Sequence, residues 1–336
     1  MEIKIKVLDV GDADAIIVSL IKEDSSYVIL VDGGYVKHRN TLIGNLNAEL
    51  LIHRKKVPDL IICTHYDADH IAGLINIVKY YKKVISGSAL WIFDTSSFKH
   101  VIDERRKVEK KSIKPSHRDV LINSLYQAQR GELVSAALIK TLQQEQTLIG
   151  LAEQLGMKWN MPIAGECEIA EWGITVLGPT RTYFSELFPK ALASQPNYPE
   201  DIRSTSDAAE GNVCVGLNLT KSPISKPNLG SAIFLIEVNG DKYFFAGDSG
   251  IDSMYNIADY KTRIKDIRWL KVPHHGSRNN LNLHLIELIK PKVAAISGSK
   301  YIDDDLISCM RKKEIEVYTT RDQKHLCFEQ GVYKVC

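Results

Sequence analysis

Four side chains that can bind a metal ion fall within six residues of the segment 64–73. Two are histidines and two are aspartates: His65, Asp67, Asp69 and His70. Imidazole nitrogen together with carboxylate oxygen suits Zn²⁺, Mn²⁺ or iron. A polar surface turn is the alternative, but two histidines and two aspartates directly after an apolar stretch favour a metal-binding segment.

Two later segments also end an apolar stretch in residues of this kind. Residues 243–250 run from three aromatic residues into Asp248, which glycines flank, and residues 270–277 run into His274 and His275. A carboxylate has two oxygens and can bridge two cations. Because neighbouring side chains on a strand point in opposite directions, we expect only one of the two histidines to bind metal. Each segment alone also fits an ordinary turn.

Short strand patterns and helix patterns alternate along the parts of the chain that carry these residues. Early strands are predicted over residues 3–8, 15–20, 27–31, 59–63 and 90–93. Later strands are predicted over residues 231–238, 242–247, 267–272, 293–297 and 316–320. Between them, Ile71, Leu74, Ile75 and Val78 recur at helical spacing, and residues 41–56 look helical. This alternation indicates an α/β class.

Residues 96–160 differ in character from the rest of the chain. A charge run at 103–114 precedes a stretch with helix patterns and no strand pattern. We interpret 96–160 as a helical insertion in a single domain, 1–336, whose core halves are 1–95 and 165–336. A lid over the site and a docking surface are both compatible with this insertion.

Composition excludes several classes of protein. With 336 residues, 44% hydrophobic and 25% charged, the chain is neither disordered nor fibrous. A net charge of +2 predicts no bulk affinity for nucleic acid, so such contacts would need a local patch. No apolar run approaches the ~20 residues of a membrane span, and the N-terminus resembles a strand more than a signal peptide. Six scattered cysteines without a C-x-x-C spacing predict free thiols and a cytoplasmic location.

Taken in order, the three segments resemble the metallo-β-lactamase fold hydrolases. Their motif, His-x-His-x-Asp-His with a later aspartate and a final histidine, reads here as His65-Tyr66-Asp67-Ala68-Asp69-His70, then Asp248, then His274-His275. The similarity is greater to the C-terminal hydrolase domain of the DNA-uptake protein ComEC/Rec2, which also has Asp at the second histidine and ends in His-His-Gly-Ser. Residues 8–15 and 30–34 look like the opening strand and turn of that branch. The resemblance covers roughly 1–95 and 165–336.

The resemblance implies a four-layer αββα sandwich with a dinuclear, water-activating metal centre where strand ends converge. The implied ligands are His65, Asp67, Asp69, His70, Asp248 and, from the histidine pair, His275. Asp67 in place of histidine makes the site richer in oxygen and favours Mn²⁺ over a pure Zn²⁺ site.

One histidine of the family pattern is missing from this chain. The stretch 165–245 contains no histidine, and Asn228 and Ser231 are nearest to the expected position. We therefore predict one tightly and one weakly bound divalent cation, zinc or manganese. The weak one would lie at His65 and Asp67.

Three residues are candidates for catalytic roles. Asp69 is a candidate to orient the attacking water, His274 to donate a proton, and Asp14 to support the site from behind. Basic residues around the histidine pair favour an anionic substrate such as a phosphodiester, with a solvated basic face as the alternative. They are Lys261, Arg263, Lys265, Arg268, Lys271 and Arg278.

These observations predict a metal-dependent hydrolase, with a phosphodiesterase or nuclease first. One alternative is a hydrolase of a small ester, such as a phosphorylcholine ester, a lactone or a β-lactam. The other is a non-catalytic metal-binding protein whose insertion binds a protein partner. The expected partner is an anionic, phosphate-containing substrate. Nucleic acid remains open as that substrate, and no membrane partner is expected.

Overall fold

The computed structural model describes residues 1–95, 136–187, 214, 217 and 224–336, with side chains described from residue 143 onward in the helix that begins at Ala136. The predicted charge run at 103–114 and the first part of the predicted insertion lie outside these residues.

The strands are β1 Glu2–Val7, β2 Ile16–Lys22, β3 Ser25–Val31, β4 Leu60–Ile62, β5 Ala89–Trp91, β6 Lys158–Asn160, β7 Glu168–Ile169, β8 Ile174–Gly178, β9 Ile233–Val238, β10 Asp241–Phe245, β11 Trp269–Lys271, β12 Val293–Ile296, β13 Glu316–Thr319, β14 Leu326–Glu329 and β15 Val332–Lys334. The α-helices are α1 Arg39–Ile52, α2 Ala68–Tyr80, α3 Ala136–Gln154, α4 Arg181–Leu187, α5 Lys226–Leu229, α6 Ile251–Tyr255, α7 Tyr260–Arg263, α8 Leu283–Ile289, α9 Asp304–Lys312 and α10 Thr320–Gln323.

The strands form two sheets. The first has the order β15-β14-β1-β2-β3-β4-β5-β6, and the second has the order β13-β12-β11-β10-β9-β8-β7. The strands β3 to β6 run parallel in the first sheet, and β10 to β13 run parallel in the second. Parallel strands place their carboxyl ends at one edge, where open α/β sheets bind ligands.

Apolar side chains on both faces of each sheet explain the layers. The inner faces meet in a core that includes Ile5 and Val18 from the first sheet with Phe234 and Trp269 from the second. The outer face of the first sheet packs against α1, α2 and α3. The outer face of the second packs against α6, α8 and α9. Strands buried on both faces must read as continuous apolar runs, as β4 and β12 do. The result is a four-layer αββα sandwich of the metallo-β-lactamase type.

Several predicted elements are confirmed, and one segment differs from its pattern. The predicted helices appear as α1 and α2, and the predicted strand at 59–63 is β4. In the described part of the predicted insertion, however, β6 pairs in parallel with β5 and extends the first sheet. Leu148 and Ala152 of α3 are buried in the same core as α2. This end of the insertion therefore helps to form the core layers.

The cysteine prediction is wrong for four of the six residues. Cys214 pairs with Cys309, and Cys327 pairs with Cys336, while Cys63 and Cys167 are free and buried. The first pair is 95 residues apart in the chain, so only the tertiary fold brings it together. The free thiols supported the expectation of a cytoplasmic location, and the two disulfides remove that support.

Within the described part of the chain, none of the helices combines the length and the apolar character that a membrane span requires.

Candidate metal centre

A close backbone contact fixes the helix that carries the first candidate segment. Asp67 precedes α2, and Asp69 and His70 lie in its first turn. Gly33 N–H donates to His70 O, and Gly73 N–H donates to Gly34 O, both at 2.8 Å. A Cβ on Gly73 would lie 1.8 Å from Gly33 O, so only glycine permits this approach. The contact holds His70 against the turn that follows β3.

Four of the residues singled out in the sequence meet at one point. The ligand atoms of Asp69, His70, Asp248 and His275 all lie within 4.8 Å of one another. His70 Nε2 lies 3.5 Å from Asp248 Oδ2, and His275 Nε2 lies 3.5 Å from Asp69 Oδ2. Two ligands about 2.1 Å from one ion in tetrahedral geometry are separated by about 3.4 Å. These four residues, the metal cluster, therefore have the spacing of ligands around a shared cation.

The buried polar atoms of this region fit a cation. Among the described residues, His65 Nε2, His70 Nε2, His275 Nε2 and Asp248 Oδ1 are buried without a hydrogen-bond partner. A buried polar atom left unpaired costs about 1 to 3 kcal/mol, and each such atom in a native structure requires an explanation. Two imidazole nitrogens and two carboxylates in the metal cluster suit Zn²⁺, Mn²⁺ or iron. The residues present therefore fit a divalent cation.

The other ring nitrogen of each histidine is held by the protein. His70 Nδ1 lies 2.8 Å from Asp32 Oδ2, and His274 Nδ1 lies 3.0 Å from Asn280 Oδ1. An Nδ1–H that donates to oxygen leaves the Nε2 lone pair free for a metal, the usual arrangement of histidine ligands. The partners of Nδ1 thus select the tautomer that a cation needs.

A buried chain of hydrogen bonds orients His275. His275 Nδ1 donates to Ser297 Oγ at 3.1 Å, and Ser297 Oγ donates in turn to Asp14 Oδ1. The other oxygen of Asp14 lies 2.9 Å from Lys271 Nζ, and both side chains are 1% exposed. Although burial raises the pKa of Asp14, the positive charges of Lys271, His275 and His70 lower it below the ordinary value. The predicted support from behind the site by Asp14 corresponds to this contact with Ser297.

The histidine pair departs from the strand geometry expected for it. His274 and His275 lie in a turn after β11, and both have left-handed backbones, with φ of 48° and 52°. Both Nε2 atoms consequently lie 3.8 Å from Asp248 Oδ2. The expectation that the two rings point in opposite directions is wrong, because it assumed a continuing strand. Left-handed conformations of residues other than glycine are costly and cluster at functional sites.

His65 and Asp67 lie beside the metal cluster and outside it. His65 Nε2 and Asp67 Oδ2 are 3.8 Å apart. Burial, followed by the charge of Asp69, raises the pKa of Asp67 to about 7. Asn228 Nδ2 lies 3.4 Å from His274 Nε2, and Ser231 Oγ accepts from Asp248 N–H. The two residues nearest in pattern to the missing histidine thus lie at the site.

Burial opposes every charge in this region, so charge persists only where opposite signs face each other. Against burial, His70 and His275 hold the pKa of Asp69 at about 2 and that of Asp248 well below its ordinary value. Carboxylates led by Asp248 raise the pKa of His70 well above its usual value, also against burial. Burial and the charge of His70 lower the pKa of His65 to about 3, so His65 stays neutral. A bound cation would take the place of the proton on His70.

The basic residues that suggested an anionic substrate do not surround the site. Lys261 and Arg263 lie on α7, before the amino end of β11, whereas the site follows its carboxyl end. Lys271 is buried against Asp14. Arg278 is paired with Asp303 and Asp305. For the residues before β11, the prediction that they flank the metal is therefore wrong, because position in the chain was read as position in space.

Sequence reasoning missed four residues that support the site: Asp32, Thr64, Asn280 and Ser297. Thr64 Oγ1 donates to Asp32 Oδ2 at 2.6 Å, which fixes the carboxylate that faces His70. Asn280 Nδ2 donates to the backbone oxygens of Asp248 and Ser249. Asp32 gave a weak signal, an aspartate between an apolar strand and two glycines, and the others gave none.

The two-sheet sandwich with a His/Asp cluster at its strand ends is consistent with the metallo-β-lactamase fold. Residues 11–143 match the family model described as Metallo-beta-lactamase superfamily, which is less than half of the chain. This match continues through residues 96–143, which the sequence resemblance left out. No curated protein sequence matches the chain.

Solved structures with this fold are distant in sequence. The metallo-beta-lactamase fold protein YhfI from Bacillus subtilis is 12% identical with a TM-score of 0.47, covering 98% of this chain and 100% of its own. The hydrolase AbOPH of the beta lactamase superfamily is 15% identical with a TM-score of 0.34, covering 70% and 55%. The short form of human tRNase Z is 10% identical with a TM-score of 0.36, covering 94% and 96%.

Proposed function

We propose that this chain is a metal-dependent phosphodiester hydrolase of the metallo-β-lactamase superfamily, formed as one domain over residues 1–336. The observation that carries the proposal is the set of buried, unpaired histidine nitrogens and aspartate oxygens that converge on one point. The ComEC/Rec2 branch is the proposed place of the chain within the superfamily, on the motifs at 8–15, 65–70 and 274–277.

We assign two positions for divalent cations, zinc or manganese. The tighter position is the metal cluster of Asp69, His70, Asp248 and His275, whose four ligand atoms are already gathered. The weaker position is at His65 and Asp67, where these two ligand atoms face each other at 3.8 Å. A position with fewer protein ligands in place binds its cation more weakly.

A divalent cation at such a site supplies Lewis acidity, which makes water a better nucleophile and neutralises charge that develops on a phosphoryl group. The residues of this chain do the rest. Asp69 lies at the rim of the cluster and is 22% exposed at its side chain, so its carboxylate can accept a hydrogen bond from the attacking water. His274 is 34% exposed and its Nδ1 is held by Asn280. Its Nε2 faces Asn228 Nδ2 at 3.4 Å, and it carries a proton for the leaving oxygen when the ring is the doubly protonated imidazolium.

The donor set supports phosphodiester substrates over lactones and β-lactams. Three carboxylates line the two positions where a typical member has more histidine. Hard oxygen donors favour cations that bind phosphoryl oxygen. A negatively charged diester also gains more than a neutral ester from cations that neutralise its developing charge.

The test begins with the metal content of the purified protein, followed by hydrolysis of a substrate panel. The panel contains bis-p-nitrophenyl phosphate, single- and double-stranded DNA and RNA, p-nitrophenyl phosphorylcholine and a lactone, each with Mn²⁺, Zn²⁺ or Mg²⁺. We expect turnover of the model diester, and we expect Asp248→Asn to reduce it to background because Asp248 faces three histidines.

Asp241→Asn is the matched control, since Asp241 begins the strand that leads to Asp248 and is exposed at the far end. It should keep full activity. Turnover of the lactone without any phosphodiester would support a small-ester hydrolase instead. Turnover of the phosphorylcholine diester alone would restrict the proposed activity to that small diester. No turnover of any substrate with bound metal present would support a non-catalytic protein.

A further inference from the structure

Two pairs of tyrosine and lysine lie in the segments that follow β3 and β12. Lys37 Nζ lies 5.4 Å from the ring centre of Tyr35, and Lys300 Nζ lies 5.4 Å from that of Tyr301. Both lysines are exposed, Tyr301 is 55% exposed, and Tyr35 is half-buried. We call these four residues the tyrosine rim. Each pair combines an aromatic face with an ammonium group.

Each pair is attached to a segment that carries a candidate ligand. Tyr35 follows the two glycines whose backbone bonds hold the first turns of α2, where His70 lies. Tyr301 follows Ser297, which accepts from His275. Between them, a Cβ on Gly298 would lie 3.3 Å from the Cβ of His275. The rim is therefore positioned by the same contacts that position the metal cluster.

The turn between β1 and β2 connects the two pairs. Asp12 Oδ1 accepts from the backbone N–H groups of Ser299 and Lys300, both at 2.7 Å. On the other side of the turn, a Cβ on Gly11 would lie 3.2 Å from the ring of His38. The pKa of Tyr35 is raised to about 12, first by burial and then by Asp69 and Tyr301. Asp69 of the cluster and Tyr301 of the opposite pair are therefore among the groups that act on the Tyr35 hydroxyl.

The lysines of the rim differ from the other cations near the site. Lys271 and Arg278 are engaged by carboxylates, whereas each rim lysine lies over a tyrosine ring. Ammonium groups bind backbone phosphates, and aromatic rings stack on unpaired bases regardless of sequence. Stacking of this kind contributes about tenfold or more per base in affinity. The rim has both groups on each of two segments that adjoin segments with candidate ligands.

We propose that the tyrosine rim binds single-stranded nucleic acid, with one base on Tyr301, one beside Tyr35, and the phosphates that flank the scissile bond on Lys37 and Lys300. This inference rests on the proposed phosphodiester hydrolysis and names its substrate class. A duplex keeps its bases paired and stacked inside, so it has no unpaired base that could stack on a tyrosine ring.

The experiment measures binding of fluorescein-labelled dT10 and of an abasic ten-nucleotide strand by fluorescence anisotropy, in EDTA so that no strand is cleaved. We expect the wild type to bind dT10 about tenfold more tightly than the abasic strand. Tyr301→Ala should remove this difference while leaving abasic binding unchanged, and Tyr301→Phe should keep it. Lys300→Ala should weaken both strands equally and lower the salt dependence. Tyr80→Ala is the matched control, since Tyr80 is an exposed tyrosine at the far end of α2.

Equal affinity of the wild type for dT10 and the abasic strand would overturn the proposal, as would tighter binding of duplex DNA. Equal loss on both strands from Tyr301→Ala would do the same, because stacking would then contribute nothing. Hydrolysis of bis-p-nitrophenyl phosphate by the wild type separates the two proposals. A protein that cleaves this diester but does not prefer dT10 retains the proposed function and loses the rim, and one that prefers dT10 without cleaving any diester does the reverse.

Discussion

The two proposed cation positions share one six-residue motif, His65 to His70, yet the protein holds the residues of each position differently. Around the metal cluster, His70 and His275 are each fixed through Nδ1 by a buried partner, Asp32 or Ser297. At the other position, the described residues offer His65 Nδ1 the hydroxyl of Thr64 alone, at 3.2 Å, and Asp67 remains 31% exposed. This difference indicates that the ligand motif alone does not determine the affinity for a cation. The residues that hydrogen-bond to the ligands also determine it, because they fix the orientation of the ligands before the cation binds.

The largest expected effect comes from removing one histidine from each cation position. His275→Ala removes one of the four gathered ligands, and we expect the tight cation to bind at least about a hundredfold more weakly. His65→Ala should leave the tight cation in place and remove the weak one, with about a tenfold loss of activity. Calorimetric titration with Mn²⁺ and Zn²⁺ measures both. His284→Ala, on the partly exposed surface of α8, is the control. Two equally tight ions in the wild type would contradict the comparison.

A second effect tests the support behind the tight position. Lys271→Met leaves the Asp14 carboxylate buried without its cation, and breaking a buried pair in this way costs about 3 to 5 kcal/mol. Because Asp14 holds His275 through Ser297, a shift of Asp14 should change the orientation of the His275 ring. We therefore also expect the tight cation to bind about tenfold more weakly. Urea unfolding and metal titration give the two values. The double variant with Asp14→Asn should recover part of the stability, and no recovery would mean that the pair is not the cause.

The smallest expected effect concerns Glu145, a buried carboxyl on α3. It accepts from Thr95 N–H and Oγ1–H at 2.6 and 2.7 Å. Burial raises the pKa of Glu145 from 4.5 to about 8. The folded state therefore keeps a proton that the unfolded chain releases. Folding stability from this group is present below about pH 4.5 and is lost as the pH rises towards 8.

From pH 5 to pH 9 we expect the free energy of unfolding to fall by about 2 kcal/mol because of Glu145. This is less than the whole pKa shift would give, because the folded protein can relax around the charged carboxylate. Urea unfolding at both values measures it. Glu145→Gln should flatten this dependence, and Glu153→Gln, an exposed position on the same helix, should not. An unchanged slope in Glu145→Gln would show that the carboxyl is already charged in the folded protein.

The sequence predicted the strands that precede the candidate ligands for a physical reason. Apolar runs identify strands, and polar residues directly after them fall at strand ends, as His65, Asp248 and His275 do. What joins these ends is long-range. His70 and Asp32 are 38 residues apart, and His275 and Ser297 are 22 apart. Such pairs depend on the order of strands in the sheets, which no local pattern encodes.

Two errors have the same origin. The basic residues before β11 are near His274 in the chain and lie at the other end of the strand, since a strand separates its two ends in space. The pair Cys214 and Cys309 is far apart in the chain and adjacent in the fold. In both cases distance along the chain was taken for distance in the molecule.

The contact between Gly33 and Gly73 has a consequence for which substitutions this chain can accept. A single methyl group at either position would overlap backbone atoms of the other, at 1.8 to 2.7 Å. The whole helix would have to shift outward, and His70 would travel with it. The position of His70 Nε2 therefore depends on the absence of a side chain at Gly33 and at Gly73. Substitutions should be tolerated least at these two glycines, although neither has a side chain that could take part in chemistry.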